Sequence, residues 1–241
     1  MLSRRIIILN TLGIALLLSW AMPSFTVWTY LDDAVFWFFN QTIGDENPRW
    51  SVVLAALNNR KYDIVIMVAM LATMILASYR DRQGGFRRWF GSGVTMLITA
   101  GLVNELVRNL ITYSHPSPTR VFDDANLLSQ FVHFATKDQS GGSFPGDHGI
   151  MSMIFAAFML TFGDRLTRIV SLALVACAVA PRVMVGAHWL SDILVGSLSI
   201  VLLLLPWVLC TPVARKSSAA IAGGMERSQH RLKAWLLKRP H

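Results

Sequence analysis

Residues 148–210, HGIMSMIFAAFMLTFGDRLTRIVSLALVACAVAPRVMVGAHWLSDILVGSLSIVLLLLPWVLC, decide the fold. They contain three apolar runs, at about 148–163, 168–187 and 190–210, broken only by short polar punctuation; each approaches the ~20 residues with which an α-helix crosses ~30 Å of hydrocarbon. Three further runs precede them, at roughly 6–23, 62–79 and 91–112. The chain therefore reads as all-α: a polytopic membrane helix bundle of six transmembrane helices, one domain over 1–241 with no internal repeat. Composition agrees, because 54% hydrophobic and 15% charged residues leave too little polar surface to coat a water-soluble core. The first run, behind Arg4 and Arg5, is alternatively a signal peptide, but Ala21 and Met22 make a poor small-x-small cleavage site and a retained span is expected. Cys177 and Cys210 lie in separate apolar runs with no C-x-x-C pairing and read as small buried hydrophobes.

The net charge of +8 is carried between the runs. Arg4 and Arg5, then Arg80, Arg82, Arg87 and Arg88, then Arg165 and Arg168, then seven Lys or Arg beyond Thr211 all fall on one side of a six-span arrangement. By the positive-inside rule that side is cytoplasmic, together with both termini. Without a basic stripe interleaved with aromatics, no nucleic-acid partner is expected; anionic membrane lipids are, with the basic tail from about 212 to 241 and its Trp235, Leu236 and Leu237 on the inner leaflet. On the opposite side, Leu31, Ala34, Val35, Phe38 and Phe39 recur at helical spacing with Trp37 among them. They suit either a short helix in the headgroup layer or a strip packed on other helices.

Ionisable groups near hydrocarbon are costly, so their collection at one depth carries meaning. Arg108 lies near the outer end of the third run, His115 just beyond it, His148 opens the fourth, Arg182 and His188 end the fifth and Asp192 begins the sixth. Alone, each has an ordinary role: an arginine snorkels, and a histidine satisfies a hydrogen bond. Together they describe phosphoryl chemistry. With His188 and Asp192 one helical turn apart, the carboxylate would hold one ring nitrogen and leave the other as a nucleophile. His148, after the turn-like Ser143-Phe144-Pro145-Gly146-Asp147, belongs in the first turn of a helix, where free N–H groups favour phosphate and an imidazole can protonate a departing oxygen. Asp147 reads as the N-cap of that helix ahead of any catalytic role. Arg182 and Arg108 offer planar forks for phosphate oxygens. Zinc is the alternative for a histidine cluster, but H-E-x-x-H is absent and the arginines would repel a cation; no metal and no other cofactor are expected.

Arg182-x5-His188-x3-Asp192, Pro145-Gly146-Asp147-His148 and Arg108-x6-His115-Pro116 resemble the three motifs of the type 2 phosphatidic acid phosphatase (PAP2) superfamily. The likeness spans about 85 residues, with Pro181 for the usual Ser, Gly146-Asp147 for Ser-Gly and His115 for Arg. It implies a nucleophile at His188, an orienting carboxylate at Asp192, a general acid at His148, and phosphate contacts from Arg182, Arg108, His115 and the Gly146 turn. The variant Ser143 to His148, the stretch Leu57-Asn58-Asn59-Arg60 with Asp63 behind it, Thr136-Lys137-Asp138 and Pro181 to Trp189 are similar to the branch that synthesises lipid A 1-diphosphate. That resemblance implies undecaprenyl pyrophosphate as donor, lipid A as acceptor, a bacterial inner membrane with a periplasmic site, and substrate contacts from Asp147, Lys137, Arg60 and Asn59. A phosphatase acting on either lipid, or a non-catalytic lipid-binding protein of the same fold, are the alternatives.

Overall fold

The computed structural model describes residues 2–81 and 85–237, with side chains for 4–81 and 85–228. Its regular elements are all helical: α1 (Leu2–Ala21), α2 (Val27–Asn40), α3 (Pro48–Leu57), α4 (Arg60–Arg80), α5 (Gly85–Leu110), the one-turn α6 (Pro118–Val121), α7 (Asp147–Phe162), α8 (Arg165–Met184), α9 (Leu198–Leu209) and α10 (Val213–Leu237). A π-helical segment, Asp192–Ser197, leads into α9. Arg4–Ala21, α4, α5, α8 and the stretch Asp192–Leu209 are long and apolar enough to cross a membrane, and α7, at 16 residues, is an apolar helix of shorter reach. Five full spans and a short sixth thus make the expected bundle. On α4, Ile64, Val65, Met67, Val68 and Leu71 remain exposed, a face suited to lipid and not to water.

Helix α7 sits among α5, α8 and α9; α1 runs along α9, and α4 packs on α5 and α8. Ile150, Ile154 and Phe158 of α7 meet Val103 of α5 and Val201 and Leu205 of α9 in the central core. Two helices carry a proline inside, which strips an N–H from the ladder and frees the carbonyl four residues back. In hydrocarbon that carbonyl needs a donor from elsewhere. For Pro206 in α9, the Asn10 amide of α1 donates to the carbonyls of Leu202 (2.9 Å) and Leu203 (3.0 Å). For Pro181 in α8, the Tyr62 hydroxyl of α4 donates to the Cys177 carbonyl at 3.2 Å. Each repair also ties one helix to its neighbour.

Several expectations are corrected. Beyond residue 212 the chain does not simply rest on a membrane surface: Ala214 is fully buried, Ser218 donates to Thr95, and a Cβ at Gly91 would come within 2.2 Å of the Ser218 carbonyl, so α10 packs backbone to backbone on α5. Arg82 and the side chains of Trp235, Leu236 and Leu237 lie outside the described residues. Cys177 is exposed on α8 and Cys210, the residue that caps α9, is half-buried, so neither is a buried hydrophobe. The aromatic strip of α2 turns inward not through Phe38, which is exposed, but through Asp32, Phe36 and Asn40, because polar partners across the packed face claim that edge of the helix. Helix α3, absent from the pattern of apolar runs, places Leu54 and Ala55 against Leu128, Val185 and Ala187 beneath the site end of the bundle.

Candidate active site

The loop carrying His188 is built by the end of α8. Gly186 takes φ +75°, a left-handed conformation open to glycine, and closes the helix in a Schellman motif: its N–H donates to the Val183 carbonyl and that of Ala187 to the Arg182 carbonyl, both at 3.0 Å. The His188 N–H reaches the same Arg182 carbonyl at 3.2 Å. Residues 182 and 188 are therefore locked together by backbone. A Cβ at Gly186 would also lie 2.6 Å from the Phe36 ring and 2.8 Å from Thr119, so a side chain there is excluded twice.

His188 is buried and lies in this turn, not in a helix as its spacing from Asp192 suggested. The pairing is made all the same. Its Nδ1–H donates to the Ser143 carbonyl at 2.9 Å, with Asp192 Oδ2 at 3.3 Å from the same nitrogen. A ring whose Nδ1 carries the proton presents Nε2 with a free lone pair. Asp192 is 0% exposed and serves several donors: Oδ2 also accepts the Trp189 N–H at 2.8 Å, and Oδ1 is 3.3 Å from His115 Nδ1. The π-helical turn then points the Asp192 carbonyl outward to take the Gly146 N–H at 3.2 Å and the Ser197 hydroxyl at 3.1 Å.

Opposite stands His148, the second residue of α7. Asp147 is the first residue of that helix and not its N-cap, a position held by Gly146; the Asp147 carboxylate accepts both the His148 N–H (2.8 Å) and its Nδ1–H (2.7 Å). That leaves His148 Nε2 facing Arg182 Nη2 at 3.2 Å and Asp63 Oδ1 at 3.3 Å. Arg182 is 3% exposed, and its Nη2 donates to Asp63 Oδ1 at 2.5 Å. The arrangement ties a histidine with a free Nε2, through its backbone, to a buried guanidinium that contacts a second imidazole, and these are the parts needed to attack, neutralise and protonate a phosphoryl group. Among the described residues no group of three or more His, Cys, Asp or Glu is disposed to hold a metal ion.

The PAP2 superfamily profile matches residues 89–216, which contain His148, Arg182, His188 and Asp192. The chain belongs to the PAP2 superfamily. It is also 40% identical to the lipid A 1-diphosphate synthase of Escherichia coli (strain K12) over 211 residues, covering 87% of this chain and 89% of that protein. No solved structure matches it.

Within this PAP2 fold the remaining candidate residues take up varied places. Arg108 is exposed at the end of α5 and paired with Glu105, so it is not drawn into the cluster. His115 turns to Asp192 and stands among the rings of Trp20, Tyr113, Phe144 and Trp189, with centroids 5.8–6.2 Å away. The Gly146 N–H is occupied by the Asp192 carbonyl and so is not offered to phosphate; the glycine is needed because a Cβ would lie 2.4 Å from Ile193. Asn59 caps α4 by accepting the Lys61 N–H and donates to the Ala135 carbonyl, which gives it a structural task in place of the expected substrate contact. Arg60 and Lys137 are exposed, and the Lys137 N–H donates to the Asn58 carbonyl.

Two contributors lie outside the matched segment. Asp63 was legible only as part of a resemblance, and Asp32 was not singled out at all. Asp32 of α2 is 7% exposed and accepts from both the Ser191 N–H (2.8 Å) and its hydroxyl (2.6 Å), clamping the turn between Trp189 and Asp192. Burial pushes its carboxyl up to about 6, against the opposing pull of the Ser191 hydrogen bonds. A carboxyl raised above its unfolded value stabilises the fold below that value, near 3.8, and the contribution is lost as pH rises through about 6. Melting curves across that window should show the wild type losing ground to Asp32→Asn, by on the order of 2–3 kcal/mol at most. A gap between the two proteins that is constant with pH would reject this.

Proposed function

We propose that the protein moves the distal phosphate of undecaprenyl pyrophosphate onto the 1-phosphate of lipid A, through a phosphohistidine at His188. The observation that carries the chemistry is the double hold on His188 Nδ1 by the Ser143 carbonyl and Asp192, which leaves Nε2 free on a residue tied by its backbone to Arg182, whose guanidinium is 3.2 Å from His148. The choice of lipids rests on the likeness to lipid A 1-diphosphate synthase. Nε2 attacks the distal phosphorus, the bond to the bridging oxygen breaks, and His148 Nε2–H protonates the departing undecaprenyl phosphate while Arg182 neutralises the equatorial oxygens. A 1-phosphate oxygen of lipid A then attacks the phosphohistidine, the P–N bond breaks, and His148 takes back any proton the acceptor carries. Donor and product are both anhydrides, so the transfer is near-isoenergetic. The basic loops favour a cytoplasmic location for both termini, and thus a periplasmic site in the inner membrane.

The test is to give purified protein undecaprenyl pyrophosphate labelled in its distal phosphate, with and without lipid A. Label should pass to lipid A and, when lipid A is withheld, stay on the donor apart from the single equivalent held on the protein. Release as inorganic phosphate regardless of lipid A would make the protein a phosphatase, and no turnover in either case would favour a lipid-binding role.

A further inference from the structure

The carboxylate of Asp63 stands where the chemistry just described needs a phosphate oxygen. Its Oδ1 is 2.5 Å from Arg182 Nη2 and 3.3 Å from His148 Nε2, and those two nitrogens are 3.2 Å from each other. Asp63 Oδ1 thus lies within reach of both nitrogens at once, as an anionic oxygen gripped by the pair would. Carboxylate and phosphate oxygens accept from such donors with the same geometry and compete for one seat. The two partners of the ion pair differ in freedom. Arg182 is 3% exposed and its backbone is pinned by the Schellman turn, whereas the Asp63 side chain is 36% exposed in the first turn of α4, next to solvent. An incoming anion therefore displaces Asp63 and not Arg182.

We propose that Asp63 is a specificity-determining residue that occupies the phosphate seat, so that a ligand enters only by displacing it. The proposal rests on the reading of Arg182 and His148 as the phosphate grip. A tethered carboxylate competes at a high effective concentration with any free anion. A small soluble phosphate brings little besides its charge and is held off. A diphosphate on a membrane lipid brings additional charge and a hydrocarbon tail already in the bilayer, and takes the seat. The device would suit an enzyme that works beside soluble phosphate yet transfers only between lipids.

The probes are inorganic phosphate and orthovanadate, used as inhibitors of label transfer and as ligands of the purified, full-length protein. Asp63→Asn keeps the shape and removes the charge; it should bind both anions about tenfold more tightly and lower KM for the diphosphate donor. Asp63→Glu keeps the charge and should bind both anions as weakly as the wild type does. Anion affinity that is unchanged or weaker in Asp63→Asn, with kcat reduced, would overturn the proposal and leave Asp63 as a support for Arg182. Arg182→Ala in the Asp63→Asn background should abolish the gained affinity. If it does not, the phosphate grip itself has been misplaced, an outcome separable from failure of the gate.

Discussion

His188→Ala should reduce transfer of label to lipid A by four orders of magnitude or more, roughly the range over which loss of an activated nucleophile is felt. Among the described histidines of the cluster, His188 alone has one ring nitrogen held by both a carbonyl and a carboxylate, which leaves the other for the substrate. His148 is unsuited to replace it, because both its ring nitrogens already face charged partners, Asp147 on one side and Arg182 with Asp63 on the other. The substitution also leaves the buried Ser143 carbonyl without its donor, a cost of about 1–3 kcal/mol that requires a parallel melting curve. His188→Asn, which can still donate to that carbonyl, separates the two effects: it should recover stability and no activity. Acid-labile label on the wild-type protein, absent from both variants, is the expected signature of the intermediate. Transfer at the wild-type rate by either variant would remove His188 from the mechanism.

Asp192→Asn should cost less, about 10²- to 10³-fold in kcat with KM little changed, the behaviour of a positioning residue. The carboxylate is fully buried and holds His188, His115 and the Trp189 N–H at once, so removing its charge withdraws stabilisation from an imidazolium as it forms. The loss stays below that of His188→Ala because the Ser143 carbonyl, at 2.9 Å, still keeps the Nδ1–H tautomer. With one carboxylate fewer in the cluster, the pH–rate profile should change shape as well as height. A variant with wild-type kcat and profile would show that the Ser143 carbonyl alone is sufficient to orient the nucleophile.

The site was partly legible because some of its relations are local. His188 and Asp192 are four residues apart, and Asp147 and His148 are adjacent; contacts at such range follow from chain geometry whatever the rest of the fold does. The His188–Asp192 pair was expected from helical spacing and is made instead by a turn that the left-handed Gly186 permits. Arg108 is expected from its depth and from a partial motif likeness, and neither says which way a side chain on an exposed helix face points; Glu105, one turn away, is its partner.

By itself the sequence determined the helical membrane bundle, its approximate spans and the residues proposed to bear the chemistry, because hydrocarbon admits only uninterrupted apolar runs and makes each ionisable exception conspicuous. Tertiary structure alone decided how those residues are held. Asp63 reaches Arg182 across 119 residues, Asp32 reaches Ser191 across 159, His115 reaches Asp192 across 77, and the Ser143 carbonyl meets His188 across 45. Such pairings leave no period or spacing in the chain. A buried polar atom must find a partner, but the identity of that partner is set only when the helices pack and one donor comes within about 3 Å of one acceptor.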